Sequence, residues 1–333
     1  MAPRVRAAST LRGLLPWLLA AGLIGLLLWQ VPFEAMGRAL HGARLGVFLP
    51  GAAVASLVWF ALDSATLAQL FSRAFTPLGW AEARALRGLS YLATPIHWHA
   101  GKAAIVARLR RTKGLPILDA TSGLLLVQTL DALILALLAT GGSWLLPTSE
   151  ALVSLRGVGM VVAVASVAYL IVVRSDRPAL PVLERLRRSA VHRAHRRLSR
   201  ADLARLFALK TAYHLVFVVA YLVGLRAFGV DVTLARSLAA TPIVQMVGSL
   251  PLTPAGLGTQ QGAMLHLFGG IGPGATSAPA ILAFGFAFPI VLMGMRCAIG
   301  LCYLGRLRRA SERGGRADGR GGAVHARAGP AER

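Results

Sequence analysis

Six stretches of this chain are apolar for long enough to cross a bilayer: 14–31, 45–71, 117–139, 151–173, 206–228 and 278–303. A spanning helix needs about 20 such residues. Two further apolar stretches, 85–109 and 238–270, are interrupted, the first at Thr94-Pro95 and the second across Pro251 to Gly258. In the second, the flanking runs Leu238 to Leu250 and Ala263 to Phe268 are each too short to cross alone. Proline and glycine end helices, and the backbone groups freed are tolerated at membrane depth only inside protein or beside a watery cavity. The pattern predicts an all-α polytopic membrane protein with six spanning helices and two broken helix pairs. It also marks Pro254, Gly256, Gly258, Thr259, Gln260 and Gln261 as substrate-binding candidates.

Charge sets the direction of each stretch. Hydrophobic residues reach 56% and charged ones only 15%, which places the chain among integral membrane proteins. The net charge of +23, nearly all arginine, would suit nucleic acid on a soluble domain. Here, however, 29 of the 36 Lys and Arg fall before the first span, at 72–116, at 174–205 and after 303. The loops of opposite sidedness hold only Arg38, Arg44 and Arg236. By the positive-inside rule the expectation is a plasma (inner) membrane protein with both termini cytoplasmic, its basic face on the anionic inner leaflet and no nucleic-acid partner. The same sides make 85–109 a re-entrant hairpin from the cytoplasm and 238–270 one from outside. Span, hairpin and span then occur twice in opposite orientation, 45–71, 85–109, 117–139 and 206–228, 238–270, 278–303. Such inverted repeats recur in transporters, with binding sites near the midplane. Ala83-Arg84 ahead of Thr94-Pro95-Ile96 and Ala235-Arg236 ahead of Thr241-Pro242-Ile243 echo the pairing.

The remaining segments refine this division. Arg4, Arg6 and Arg12 precede Leu14 to Val31, which is too long for a signal-peptide core and is read as a retained span. Within 180–200 the apolar stripe Leu183, Leu186, Ala190, Ala194 and Leu198 fits either a helix lying on the inner leaflet or a solvated connector. The transmembrane domain is taken as 1–304. The tail 305–333, rich in Gly, Ala and Arg, is expected to be disordered.

Ionisable groups inside spans point to function, since each costs at least about 2.5 kcal/mol at the bilayer centre unless paired or hydrated. Asp131 lies mid-span with Gln128 one turn before it; Asp63, Arg296, Lys210 and His214 are also within spans. Asp131 and Arg296 are expected either to line a polar cavity or to form an ion pair between the repeats. Arg156 and Arg226 lie near span ends and are expected to reach the headgroups. His97-Trp98-His99 has no neighbouring carboxylate or cysteine and reads as interfacial anchoring. Cys297 and Cys302 are five apart on one helix and read as apolar filler, so no metal and no cofactor is expected. Thr259, Gln260 and Gln261 open a half-helix whose N-terminus attracts anions such as a lipid phosphate. Alternatively, they satisfy the hairpin's own backbone.

At these residues the chain resembles the flippase-like family, the transmembrane region of lysylphosphatidylglycerol synthases and its stand-alone relatives. The resemblance rests on Pro254-Ala255-Gly256-Leu257-Gly258-Thr259-Gln260-Gln261, on Pro95, Gly101-Lys102 and Arg108 to Arg111 ahead of Asp131, and on Arg296 in the last span. It adds Pro95, Gly101 and Lys102 to the expected site. Ala255 stands where the family has glycine, and Gln261 and Lys102 where it has glutamate. The residues after the last span are too few for the cytosolic aminoacyltransferase domain of the synthases, so no enzyme is expected. The resemblance implies translocation of a phospholipid or other amphipathic lipid. A non-transporting partner of a glycosyltransferase or lipid-modifying enzyme, docked through the ten arginines of 174–205, is the alternative.

Overall fold

A computed structural model describes residues 18, 21–27, 29, 33–94, 98–146, 150–175, 181, 184–185, 189–249, 253, 256–269 and 277–325. Of the first expected span, residues 21–27 are helical, and Leu27 packs against Leu282. Pro95 and Pro254 lie outside the described residues, and the His97-Trp98-His99 expectation falls on side chains outside them as well.

The other elements are helices: α1 (Phe33–His41), α2 (Leu45–Ala74), α3 (Trp80–Tyr91), α4 (Trp98–Lys113), α5 (Ile117–Trp144), α6 (Glu150–Arg174), a 3-10 turn at Ala190–His192, α7 (Arg193–Arg197), α8 (Arg200–Ala227), α9 (Leu234–Ser249), α10 (Thr259–Gly269) and α11 (Ala278–His325). Among the described residues five helices are long and apolar enough to cross a membrane: α2, α5, α8, Arg156–Arg174 within α6 and Ala278–Gly305 within α11. The chain is an all-α polytopic membrane protein. Local chemistry sets several boundaries. Ser199 Oγ accepts from the Asp202 N–H at 3.1 Å while Asp202 Oδ2 accepts from the Ser199 N–H at 3.3 Å, a reciprocal cap on α8. Glu82 caps α3 by accepting from the Gly79 N–H at 3.1 Å. Lys113 at the end of α4 lies 2.7 Å from the same carboxylate and holds its pKa below the ordinary value.

α2 and α8 pack antiparallel along their length. Arg44 N–H donates to Ala227 O (2.8 Å), Trp59 Nε1 to Tyr213 O (3.1 Å) and Gln69 Nε2 to Asp202 O (3.3 Å). Around this pair the short helices pack crosswise: α3 lies on α11, and α9 on α5. Glycine permits both crossings. A Cβ on Gly142 of α5 would stand 2.5 Å from the Ala239 backbone, and one on Gly300 of α11 would stand 3.0 Å from Gly88 O of α3. Without hydrophobic drive in lipid, helices associate through such close contact. Two large apolar cores and two small ones result among the described residues. The first large core joins Phe48, Tyr221, Phe284 and Phe288 of α2, α8 and α11; the second joins Leu70, Leu109, Leu126 and Leu206 of α2, α4, α5 and α8.

Two expectations are corrected. The echo between the two halves fails, because Thr94 lies at the junction of α3 and α4 whereas Thr241-Pro242 lies inside α9. Tertiary packing holds that proline within a helix.

Of the expected stripe, Leu183 and Leu186 lie outside the described residues, Ala190 is half-buried, and Ala194 and Leu198 face protein instead of lipid or water. Ala194 and Leu198 are buried in the second core, and Ser122 Oγ accepts from the Ala194 N–H at 2.7 Å. Arg174 donates to the His195 and Leu198 carbonyls, Arg193 pairs with Asp119, and Arg197 donates to Ala74 O at 3.2 Å. The last helix continues to His325, and the rest of the tail lies outside the described residues.

Candidate functional site

The ionisable residues of the apolar helices converge. Asp63 of α2 pairs with Arg87 of α3 and lies 3.6 Å from Lys210 Nζ of α8. Lys210 Nζ is 3.0 Å from Asp131 Oδ1 of α5, and His214 Nε2, one turn further along α8, is 2.9 Å from the same oxygen. His214 Nδ1 faces Gln245 Oε1 of α9 at 3.2 Å. Lys102 of α4 donates to Gln128 Oε1, one turn before Asp131. Arg296 of α11 lies 5.7 Å from the Tyr91 ring, and Arg87 lies over the same ring at 4.9 Å. Seven helices thus contribute to one polar centre.

Burial makes the pairing obligatory. Taking an isolated charge out of water costs several kcal/mol, and removing one partner of a buried pair commonly costs 3–5 kcal/mol. The side chains of Lys210 and His214 are 4% and 5% exposed, whereas that of Asp131 is 29% exposed. Asp131 is therefore where the network meets the outside. Arg87 and Lys210 are set against the carboxylates of Asp63 and Asp131, and Lys102 adds a further positive charge beside Gln128. Of the two readings of Asp131 and Arg296, the direct ion pair is not formed: Asp131 bonds Lys210 and His214. Arg156 and Arg226 bond the Ser143 and Val232 carbonyls at 2.8 and 3.0 Å.

Beside the network a groove of about 850 Å³ lies between α4 and α5. Val106, Ile117 and Leu124 give it apolar walls; Lys102 and Gln128 lie toward one end, and Arg110 and Arg111 lie further along α4. The eight residues from 102 to 110 span about 12 Å of helix.

The broken segment between α9 and α10 closes on itself. Gly256 and Gly258 have φ of +71° and +83°, which residues bearing a Cβ rarely adopt. A Cβ on Gly256 would stand 2.9 Å from the Gly248 backbone at the end of α9. Gln261 is buried; its Oε1 accepts from the Gly258 N–H at 2.8 Å and its Nε2 donates to Gly285 O at 2.9 Å. Thr259 Oγ1 donates to Gly256 O at 3.0 Å, and Gln260 Nε2 to the Tyr221 hydroxyl at 3.1 Å. The described side chains of Thr259, Gln260 and Gln261 thus bond the turn's own backbone and its neighbours. Gly101 likewise serves packing, since a Cβ there would stand 2.8 Å from Thr94 Oγ1.

Of the expected site residues, the structure therefore brings Asp131 and Lys102 to the polar centre with Arg296 nearby, and puts Gly256, Gly258, Thr259, Gln260 and Gln261 in a self-satisfied turn. Sequence reasoning notes Asp63, Lys210 and His214 without joining them. It misses Arg87, which charge counting places among the cytoplasmic basic residues, and Gln245, whose only signal is an amide in an apolar helix.

Long apolar helices closed around a shared ion network define a polytopic membrane protein with a polar interior. The sequence pattern described as the lysylphosphatidylglycerol synthase TM region matches residues 13–294, and the chain belongs to that family. No curated protein and no solved structure matches it.

Proposed function

We propose that this protein moves an amphipathic lipid with an anionic headgroup between the leaflets, without making or breaking covalent bonds. The observation that carries the reading is the buried ion network, whose basic members outnumber its carboxylates and whose open member, Asp131, lies one turn from the Gln128 rim of the α4–α5 groove. Intramembrane charge at the meeting of several helices marks substrate and ion pathways. The groove is within the usual size of ligand sites, and its apolar walls and basic ends match a lipid's tails and phosphate. The crosswise packing of α3 on α11 and α9 on α5 supports the inverted repeat, in which the α3–α4 and α9–α10 pairs are re-entrant from opposite faces.

The test uses the purified full chain in liposomes carrying fluorescent NBD-labelled phosphatidylglycerol, phosphatidylcholine or a cationic lipid, with dithionite quenching as the readout of leaflet exchange. Phosphatidylglycerol is expected to exchange faster than in empty liposomes, and Lys210→Met to reduce that rate at least tenfold. Rates equal to empty liposomes for all three lipids would refute the reading.

A further inference from the structure

The groove between α4 and α5 is basic at two separate places. Its mouth is fixed by the end of α4. Gly114, with φ of +64°, donates its N–H to Arg110 O at 3.1 Å, and the Leu115 N–H reaches Leu109 O at 3.4 Å. This pair of bonds closes a helix through a left-handed glycine, so α4 turns directly into α5. Arg110 and Arg111 line the groove beside that turn and are exposed. Among the described residues neither pairs with a carboxylate, whereas Lys113 is held by Glu82, Arg193 by Asp119 and Arg73 by Asp202. Two such guanidinium groups at one mouth suit a phosphate, whose oxygens accept their forked N–H groups.

The inner place is built differently. Lys102, half-buried, donates to Gln128 Oε1 across the groove. An ammonium can only donate, so this bond fixes which way the amide faces and leaves the Gln128 Nε2 hydrogens for another acceptor. It also uses only one of the three Lys102 N–H groups. Ammonium and amide together form a donor pair. Between the two places the groove carries no charge: Ala103, Val106 and Ala107 line it from α4, and Thr121, Leu124 and Leu125 from α5. An anion crossing the roughly 12 Å of helix from mouth to inner place meets no charged partner on the way.

We propose that the groove holds two phosphate stations that one anionic phospholipid occupies in turn: a capture station at Arg110 and Arg111, and an inner station at Lys102 and Gln128. The inference rests on the lipid reading above and divides its site into capture and transit. At the capture station the phosphate stays at the mouth, and an acyl chain lies along Val106 and Leu124. A free phosphate ion would suit the arginines but leave those apolar walls uncovered. At the inner station the phosphate has moved past the small side chains of Ala107 and Ala103. The uncharged stretch is the barrier between the two, because a charge there is least compensated. Capture therefore sets how much lipid is needed, and the inner station sets how fast it moves.

The first test uses the full chain in phosphatidylcholine nanodiscs with a small fraction of phosphatidylglycerol that carries a diazirine on an acyl carbon near the glycerol. Photolabelling, mapped by mass spectrometry, is expected within 106–121. It should be lost in Arg110→Gln with Arg111→Gln and kept in Arg200→Gln with Arg205→Gln, which removes the same charge elsewhere. Excess soluble glycerol phosphate should leave it unchanged. Labelling indifferent to Arg110 and Arg111, or abolished by glycerol phosphate, overturns the capture station.

In liposomes, the rate of NBD-phosphatidylglycerol movement is then measured against its mole fraction. The paired arginine variant should raise the half-saturating fraction about tenfold, whereas Lys102→Met and the exposed Ala107→Leu should each lower the maximal rate about tenfold while photolabelling persists. Added salt should act as the arginine variant does, since exposed charges are screened most. A maximal rate indifferent to Lys102 overturns the inner station, and both constants moving together in every variant makes the groove a single site. If no lipid moves while labelling still follows Arg110 and Arg111, the transport reading falls and the capture station stands.

Discussion

Asp131 Oδ1 receives two donors at once, from Lys210 and His214, and this settles how substitutions around it should combine. If Asp131 belonged to Arg296, reversing both charges would restore the pair. Given the observed partners, Asp131→Arg instead sets a second cation against Lys210 and takes the acceptor from His214. Arg296→Glu combined with Asp131→Arg should therefore be less stable than either single variant by thermal unfolding in detergent; recovery in the double variant would return Asp131 to Arg296. Gln261 gives a second expectation. Gln261→Ala leaves the Gly258 N–H and the Gly285 carbonyl without partners in a buried turn, and each such group costs about 1–3 kcal/mol. The variant should unfold at a clearly lower temperature while keeping wild-type preference among lipid headgroups. Unchanged stability with altered preference would make Gln261 a ligand group after all.

The segment that joins the two halves, 189–198, behaves as a clamp across the ends of α2, α5 and α6, and its histidines make the clamp sensitive to acid. His192 and His195 pack edge-on against Tyr169, and none of their four ring nitrogens has a hydrogen-bond partner. Burial first, then the nearby His192, Arg174 and Arg196, pushes the His195 imidazole down to about 4 from an ordinary 6.5. Between those values the unfolded segment binds more protons than the docked one, so stability is full above about pH 6.5 and falls as pH drops toward 4. The difference is worth about 3 kcal/mol at most. Thermal unfolding should weaken from pH 7 to pH 5 in wild type, and less in His195→Phe; equal slopes would remove the histidine from the clamp.

Sequence spacing exposes the helices here but does not say what covers them. The stripe Ala190, Ala194 and Leu198 reads the same whether lipid or protein lies opposite, and the cover comes from α2 and α5, more than fifty residues earlier. The ion network is legible to the same extent. Asp63, Asp131, Lys210 and His214 stand out as charges in apolar windows, while their pairing depends on helices meeting in space. Arg87 is hidden because charge counting assigns a basic residue to a side of the membrane, whereas this one turns inward to Asp63; Lys102 enters the expected site only through the family resemblance.

At the level of the whole molecule, the structure chooses the positions that report orientation. The positive-inside pattern predicts the α5–α6 and α10–α11 connections outside and the segment before α8 inside. Gly142 would be a poor reporter, because any side chain there meets the Ala239 backbone. Leu145 is 63% exposed just beyond the end of α5 and serves in its place. In a background with Cys297 and Cys302 replaced by Ala, Leu145→Cys and Gly274→Cys should label with an impermeant maleimide in intact cells. Arg200→Cys, exposed at the start of α8, should label only after permeabilisation. The two positions expected outside test different halves of the proposed repeat, so they carry separate information. Labelling at 145 without 274 would keep the first half and reverse the path of the second broken pair. Labelling at 200 in intact cells would invert the molecule and move Arg110 and Arg111, at the far end of the groove, to the outer leaflet. Lipid would then load from the opposite side, so the labelling result fixes which leaflet supplies the substrate.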